Sequence, residues 1–331
     1  MININSKLNS KIFEKDVELV PTRKGFGEGL LIAGEKDEKI IGLCADLTES
    51  TQMHLFAKKF PERFIEIGVS EQNLATVASG VAAMGSLPVI SSYAMFSPGR
   101  NWEQIRTTIC YNDRKVLVAG NHTGVSVGPD GGTHQALEDI ALMRVIPNLV
   151  VVSPCDAIEA RKATIEALSS KITTPVYIRL GREKTPIITT EETPFEIGKV
   201  SVFYESKKPE VTIIATGSLV YNALVSAREL EEDGVGTIVL NLSSIKPIDK
   251  KTIIENVQKT GAVVTVEEHQ VAGGMGSAVA EVLGEFFPAP IEFIGVKDKF
   301  GQSGTMNELI EHYGMGVKDI KEAVMKVISR K

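Results

Sequence analysis

Short apolar runs alternate with stretches of helical period along the first part of the chain. The runs at 40–43, 88–90, 116–119, 149–152 and 176–178 predict buried strands, being brief and bounded by turn residues. Helical spacing over 25–33, 72–84, 102–110, 135–143 and 157–168 predicts the intervening helices. This alternation predicts an α/β domain on a mainly parallel sheet. A second α/β unit of the same kind follows, with strands expected at 211–215, 237–240, 263–266 and 291–294. Its first helix, 219–232, ends before Gly234, a suitable C-cap. Between the units, 186–208 is rich in Thr, Pro, Glu and Lys and reads as the linker. The expected domains are 1–188 and 209–331, with 189–208 as linker and start of the second domain.

Composition narrows the classes. At 331 residues and 43% hydrophobic content, the chain can build substantial cores. A net charge of -6 gives no support for binding nucleic acid or an acidic membrane. No apolar run has the length of a membrane-spanning helix, and the stretch 1–18 lacks a signal-peptide core. Cys44, Cys110 and Cys155 form no CxxC pair and no metal spacing, so packing roles and a reduced, cytoplasmic setting are expected.

The candidate chemistry lies where parallel strands end, because ligands of open α/β sheets sit outside the carboxyl ends. Glu71 stands where the apolar run at 64–67 gives way to a helix with Leu74, Val77, Ala78 and Val81 on one face. An acid in a first helical turn is ordinarily a response to the helix dipole. Its neighbours argue for more. Asp46 follows the first strand, Tyr93 and Phe96 the second, and His122 the third. Asp130 and His134 lie in a Gly-rich segment, and Arg182 follows the strand at 176–178. Two loop histidines, two aspartates and an arginine on one rim exceed what folding needs.

In combination and order, the motifs resemble those of transketolase. The pyrimidine-binding domain is matched by Thr22-Arg23-Lys24, Ala45-Asp46-Leu47-Thr48, Gly68-Val69-Ser70-Glu71-Gln72, Phe96 with Gly99 to Arg106, and Gly128-Pro129-Asp130-Gly131-Gly132-Thr133-His134-Gln135. Lys246-Pro247-Ile248-Asp249, Val266-Glu267-Glu268-His269 and Gly273-Gly274-Met275-Gly276-Ser277 resemble the transketolase C-terminal domain. The Gly-Asp-Gly signature of the family's diphosphate-binding domain does not occur. The resemblance therefore implies the C-terminal subunit of a split transketolase, acting in carbohydrate metabolism of the pentose phosphate type. Its expected partner is an N-terminal subunit that holds the diphosphate of thiamine diphosphate with Mg2+ or another divalent cation. No metal ligand is expected in this chain. The expected assembly is a heterotetramer with two copies of this chain.

The resemblance also implies roles. Glu71 is the acid that hydrogen-bonds a pyrimidine ring nitrogen to activate the cofactor, a task suited to a buried, protonated carboxyl. Phe96 and Tyr93 pack against the aminopyrimidine, and Asp46 lies near the cofactor and the interface. Arg23, Ser50, His122 and Arg182 bind a sugar phosphate, for which the planar arginine fork is suited. Asp130 contacts a donor-sugar hydroxyl, and His134 is a proton shuttle beside the reacting carbons. A third pocket aromatic is either Trp102 or absent, with Arg100 then a further phosphate contact. His54, His269 and His312 match no catalytic role. The implied reaction moves a two-carbon ketol unit from a ketose phosphate to an aldose phosphate. Two other readings share the fold: the β subunit of a 2-oxo acid dehydrogenase, and a part of a deoxyxylulose-phosphate synthase-like enzyme. A catalytically idle binding protein of the same ancestry is a third, opposed by the intact Glu71, Asp130 and His134.

Overall fold

The computed structural model describes residues 1–331. Its strands, in order, are β1 (Leu19–Pro21), β2 (Ile40–Cys44), β3 (Phe64–Glu66), β4 (Leu87–Tyr93), β5 (Leu117–Asn121), β6 (Val150–Val152), β7 (Val176–Arg179) and β8 (Lys184–Pro186). Then follow β9 (Ser201–Glu205), β10 (Val211–Ala215), β11 (Thr237–Asn241), β12 (Ser244–Lys246), β13 (Val263–Gln270) and β14 (Ile291–Val296). A seven-stranded sheet runs β12-β6-β7-β5-β4-β2-β3, parallel except for β12. A five-stranded sheet runs β14-β13-β10-β11-β9, parallel except for β9. The short strands β1 and β8 form a separate antiparallel pair.

Register fixes the site. Cys44, Ser91, Ala119 and Ile178 stand abreast on β2, β4, β5 and β7. The residues a few positions further on, Asp46, Tyr93, His122 and Arg182, therefore emerge at one edge of the sheet. The helix Thr22–Lys36 carries Arg23 to this edge in its first turn. It lies close against the helix Ala157–Leu168, where a Cβ on Gly25 would stand 1.9 Å from the carbonyl oxygen of Ala157.

Four differences from the sequence expectation are informative. The linker contains a strand, β9, because Phe203 and Tyr204 are buried while their polar neighbours hide the run from an apolar scan. The helix predicted over 135–143 begins only at Asp139, since Gln135 spends its side-chain amide on loop carbonyls. Past Gln104, the helix at 102–110 is wound as a π-helix over Ile105–Cys110. Finally, β12 comes from the second unit yet joins the edge of the first sheet.

The two units share cores. One apolar cluster includes Ile140 and Met143 together with Leu240 and Met275, and another joins Val125, Leu137 and the N-terminal Ile12 to Phe203 and Val266. The N-terminal segment lies on the second unit, with the Asn3 backbone N–H donating to the Phe203 carbonyl. All three cysteines are buried and unpaired. No helix is long and apolar enough to cross a membrane.

Candidate active site

Glu71 opens the helix Glu71–Ala83 and is 2% exposed. A carboxylate so buried needs compensation. Arg100 supplies it, with Nη1 donating to Glu71 Oε2 at 2.7 Å. The buried Asn101 donates through Nδ2 to the main-chain carbonyl of Glu71 at 2.9 Å. Both residues lie in the segment that follows β4, so the helix start is tied to the adjacent strand end. The guanidinium of Arg100 also lies over the Phe96 ring, 5.0 Å from its centroid. Beside Glu71 is an open cavity of about 480 Å³ lined by Val69, Ser70, Gln72 and Arg100 among others.

Glu66 organises the floor of this region. Its carboxylate accepts from the backbone N–H groups of Asp46 and Gly68 at 2.7 and 2.9 Å, and from Thr48 Oγ1 at 2.9 Å. That contact holds Asp46 in the left-handed region, φ 59°, with its side chain exposed.

The aromatic group comes next. Tyr93 stacks on His122 with ring centroids 3.8 Å apart. Phe96 meets His134 edge-on at 5.5 Å and lies roughly parallel to Tyr93 at 6.3 Å. His134 Nδ1 lies 3.0 Å from Thr133 Oγ1. Tyr93 thus sits between the Glu71 side of the rim and the histidines.

On the far side is a cation cluster. Arg23 Nη1 donates to the carbonyl oxygen of Ser50 at 2.6 Å, so Ser50 meets it through backbone. Arg182 Nη1 donates to the Val127 carbonyl at 2.6 Å and lies 3.4 Å from Asp130 Oδ1. Burial, then the nearby Arg182, lowers the pKa of Arg23 below its ordinary value. Burial, then Arg23, Arg182 and His134, pushes the His122 imidazole down to about 3. Arg23 Nε and His122 Nδ1 are buried without a hydrogen-bond partner. Two arginines that repel one another, with Arg23 Nε lacking an acceptor, make a setting suited to an anion.

By their contacts, the ten candidate site residues fall into three groups with Asp46 beside the first. Glu71 is with Phe96; Tyr93, His122 and His134 form the middle; Arg23, Ser50, Asp130 and Arg182 lie beyond. Asp46 is nearest the Glu71 turn. Two alternatives that the sequence leaves open now have contacts. Trp102 is turned inward, its Nε1–H donating to the Leu142 carbonyl at 2.8 Å, so it is not a pocket aromatic. Arg100 is bound to Glu71, which gives the buried acid a cation of its own. The sequence assigns no role to Asn101 or Glu66, whose bonds to Glu71 and to Asp46 cross 30 and 20 positions.

The residues fit the aminopyrimidine end of thiamine diphosphate: a buried carboxyl group, an aromatic ring close by and an adjoining cavity. No group of three or more His, Cys, Asp and Glu side chains is placed to hold a metal ion.

The molecule is a two-domain α/β protein with a buried acid and a cationic cluster on one sheet edge, and comparison with known proteins gives the family. Residues 18–187 match the transketolase pyrimidine binding domain, and residues 199–320 match the transketolase C-terminal domain. The chain belongs to the transketolase family, whose members are thiamine diphosphate-dependent transferases. It is 39% identical over 319 residues to the 6-deoxy-6-sulfo-D-fructose transketolase subunit of Clostridium sp. (strain MSTE9), covering 96% of this chain and 98% of that one. It is 33% identical over 313 residues to an apulose-4-phosphate transketolase subunit of Phocaeicola vulgatus, covering 94% and 99%. The structure superposes on a split-gene transketolase, an inactive β4 tetramer, with a TM-score of 0.86 and 44% identity over 94% of this chain and 99% of that one. It is 41% identical over 311 residues to a putative transketolase C-terminal section of Methanocaldococcus jannaschii, covering 93% of this chain and 96% of that one, and so corresponds to a C-terminal subunit of a split transketolase.

Proposed function

We propose that this chain is the pyrimidine-side subunit of a split transketolase. The enzyme moves a two-carbon ketol unit from a ketose phosphate to an aldose phosphate. A partner subunit holds the diphosphate of the cofactor and Mg2+ or another divalent cation, and two copies of each chain form a heterotetramer. The observation that carries this reading is the separation on one rim of a buried, arginine-backed Glu71 from the unfilled cationic pocket of Arg23, Arg182 and His122.

Thiamine diphosphate, when bound, supplies the nucleophilic thiazolium carbon. This chain's residues do the rest. The Glu71 carboxyl would donate its O–H to the aminopyrimidine ring nitrogen from the oxygen that Arg100 leaves free. Phe96 and Tyr93 offer faces to the ring, and Asp46 borders the cofactor from the Glu71 turn. Arg23, Arg182 and His122 fix the anionic end of the sugar at a distance from the reacting carbons, with Ser50 holding Arg23 in place. Asp130 orients a hydroxyl, and His134 moves protons beside the bond that changes. The relatives named above act on a sulfonated and a phosphorylated sugar. A pocket of two arginines and a neutral histidine suits either anion, which agrees with variation of the sugar among relatives.

The test is reconstitution with the partner subunit, thiamine diphosphate and magnesium, followed by assays on phosphorylated ketoses and aldoses. Two-carbon transfer is expected. Exclusive action on unphosphorylated 2-oxo acids would refute the proposal.

A further inference from the structure

The second domain contributes no residue to the rim just described, yet it reaches the loop that carries half of it. Glu268 follows Glu267 near the end of β13 and is buried, 4% exposed. Its Oε1 accepts from the backbone N–H of Ser126 at 2.5 Å, and its Oε2 from Ser218 Oγ at 3.1 Å. Ser126 lies in the 3-10 segment Val125–Asp130, between His122 and His134. The backbone here is shaped around the carboxylate. Gly124 has φ 80°, and a Cβ there would stand 2.2 Å from Glu268 Oε1. The neighbouring side chains are otherwise engaged. Glu267 accepts from the Met275 and Gly276 N–H groups, and His269 Nε2 from the Ala141 N–H. Of these three consecutive residues, Glu268 is the one directed at the loop, which the second domain also meets where Ser303 Oγ donates to the Pro129 carbonyl and the Gln302 carbonyl accepts from Gln135. Arg179 secures it from behind, donating to the Glu268 carbonyl at 2.8 Å while paired with Asp139.

A buried carboxylate is a costly way to hold one loop amide, because it must be desolvated. It is also a strong and directional one, since charge-assisted hydrogen bonds exceed neutral ones. We propose that Glu268 is a positioning residue for the sugar site: through the Ser126 amide it sets the 122–134 loop so that His122, Asp130 and His134 face the substrate. The second domain thereby tunes substrate binding without touching substrate. The proposal rests on the reading of that loop as the sugar-binding loop.

The test uses the enzyme assembled with its partner subunit and compares Glu268→Ala with Glu268→Gln, which keeps an acceptor oxygen. In Glu268→Ala, amide exchange at residues 123–130 is expected to speed up about ten-fold or more, with the helix Glu71–Ala83 unchanged. The KM for a phosphorylated ketose should rise about ten-fold, with kcat changed by about three-fold or less. Glu268→Gln should recover most of both. Should Glu268→Ala not assemble, Gly124→Ala perturbs the same contact from the loop side and should give the same pattern. Unchanged exchange at 123–130 would overturn the positioning role. A loosened loop with an unaltered KM would instead overturn the assignment of this loop to the sugar, and with it the functional half of the proposal.

Discussion

Arg100 Nη1 lies 2.7 Å from Oε2 of the buried Glu71, and the same guanidinium covers the ring of Phe96. Under the proposed function, the cation nearest the aminopyrimidine is thus paired with the acid and does not belong to the sugar-phosphate set. Arg100→Ala should lower ketol transfer by about ten-fold or more, the worth of a charge-assisted contact. The loss should be equal on a ketose phosphate and on an unphosphorylated donor such as hydroxypyruvate. A loss confined to the phosphorylated donor would return Arg100 to the phosphate set.

Arg23 and Arg182 should behave in the opposite way. Arg23 keeps a buried Nε without a hydrogen-bond partner, and burial, then the nearby Arg182, lowers its pKa. Arg23→Ala and Arg182→Ala should raise the KM for sugar phosphates by about ten-fold or more while sparing hydroxypyruvate, which has no phosphate to lose. Equal losses on both donors would make these arginines structural.

His122 gives a pH signature. Its folded pKa of about 3 lies below the ordinary 6.5, and His269, also buried, is lowered to about 4. Between those values the unfolded chain binds more protons than the folded one, so stability rises with pH. This contribution is complete above pH 6.5 and is lost as pH falls toward 3. Glu159 and Glu267, raised by burial to about 7 from 4.5, act in the reverse sense and lose stability as pH rises through 7. By NMR, the His122 ring should stay neutral at mildly acidic pH in the unliganded chain. Inorganic phosphate should raise its pKa, since an anion favours the imidazolium. Titration at the ordinary value, indifferent to phosphate, would contradict the anion pocket.

The Arg179–Asp139 pair is buried, with Arg179 Nε 2.8 Å from Asp139 Oδ2 and the Tyr177 hydroxyl donating to the same oxygen at 2.7 Å. Asp139→Ala strands the guanidinium and should cost about 3–5 kcal/mol. Tyr177→Phe leaves the ion pair intact and should cost about 0.5–1.5 kcal/mol. Thermal melts of both variants check the order; similar losses would mean that the pair is not sealed from water.

Much of this architecture is legible in the chain. Buried parallel strands such as β5 and β10 are nearly uniform apolar runs, and helices such as Ala157–Leu168 repeat with the helical period. β9 is not legible, because an edge strand with one buried face mixes polar and apolar residues. Nor is β12, a three-residue strand whose partner, β6, belongs to the other unit. Within the site, the residue types at strand ends show in the sequence, since that position requires little of folding. Which of them touch does not show. The turn that brings Arg100 to Glu71, and the domain contact that brings Glu268 to Ser126, join residues separated by 29 and 142 positions, and no local pattern encodes such a meeting.

The central claim is that Glu71 activates thiamine diphosphate only when a partner subunit supplies the diphosphate half of the site. Proton–deuterium exchange at the thiazolium carbon measures this directly in the chain alone, in the assembled enzyme and in the assembled Glu71→Ala variant. General acid–base assistance contributes about 10² to 10⁴ in rate. Exchange should be accelerated in the wild-type assembly alone and fall by about that factor in Glu71→Ala, matching the uncatalysed rate in the isolated chain. Accelerated exchange in the isolated chain, or undiminished exchange in the assembled variant, would contradict the account.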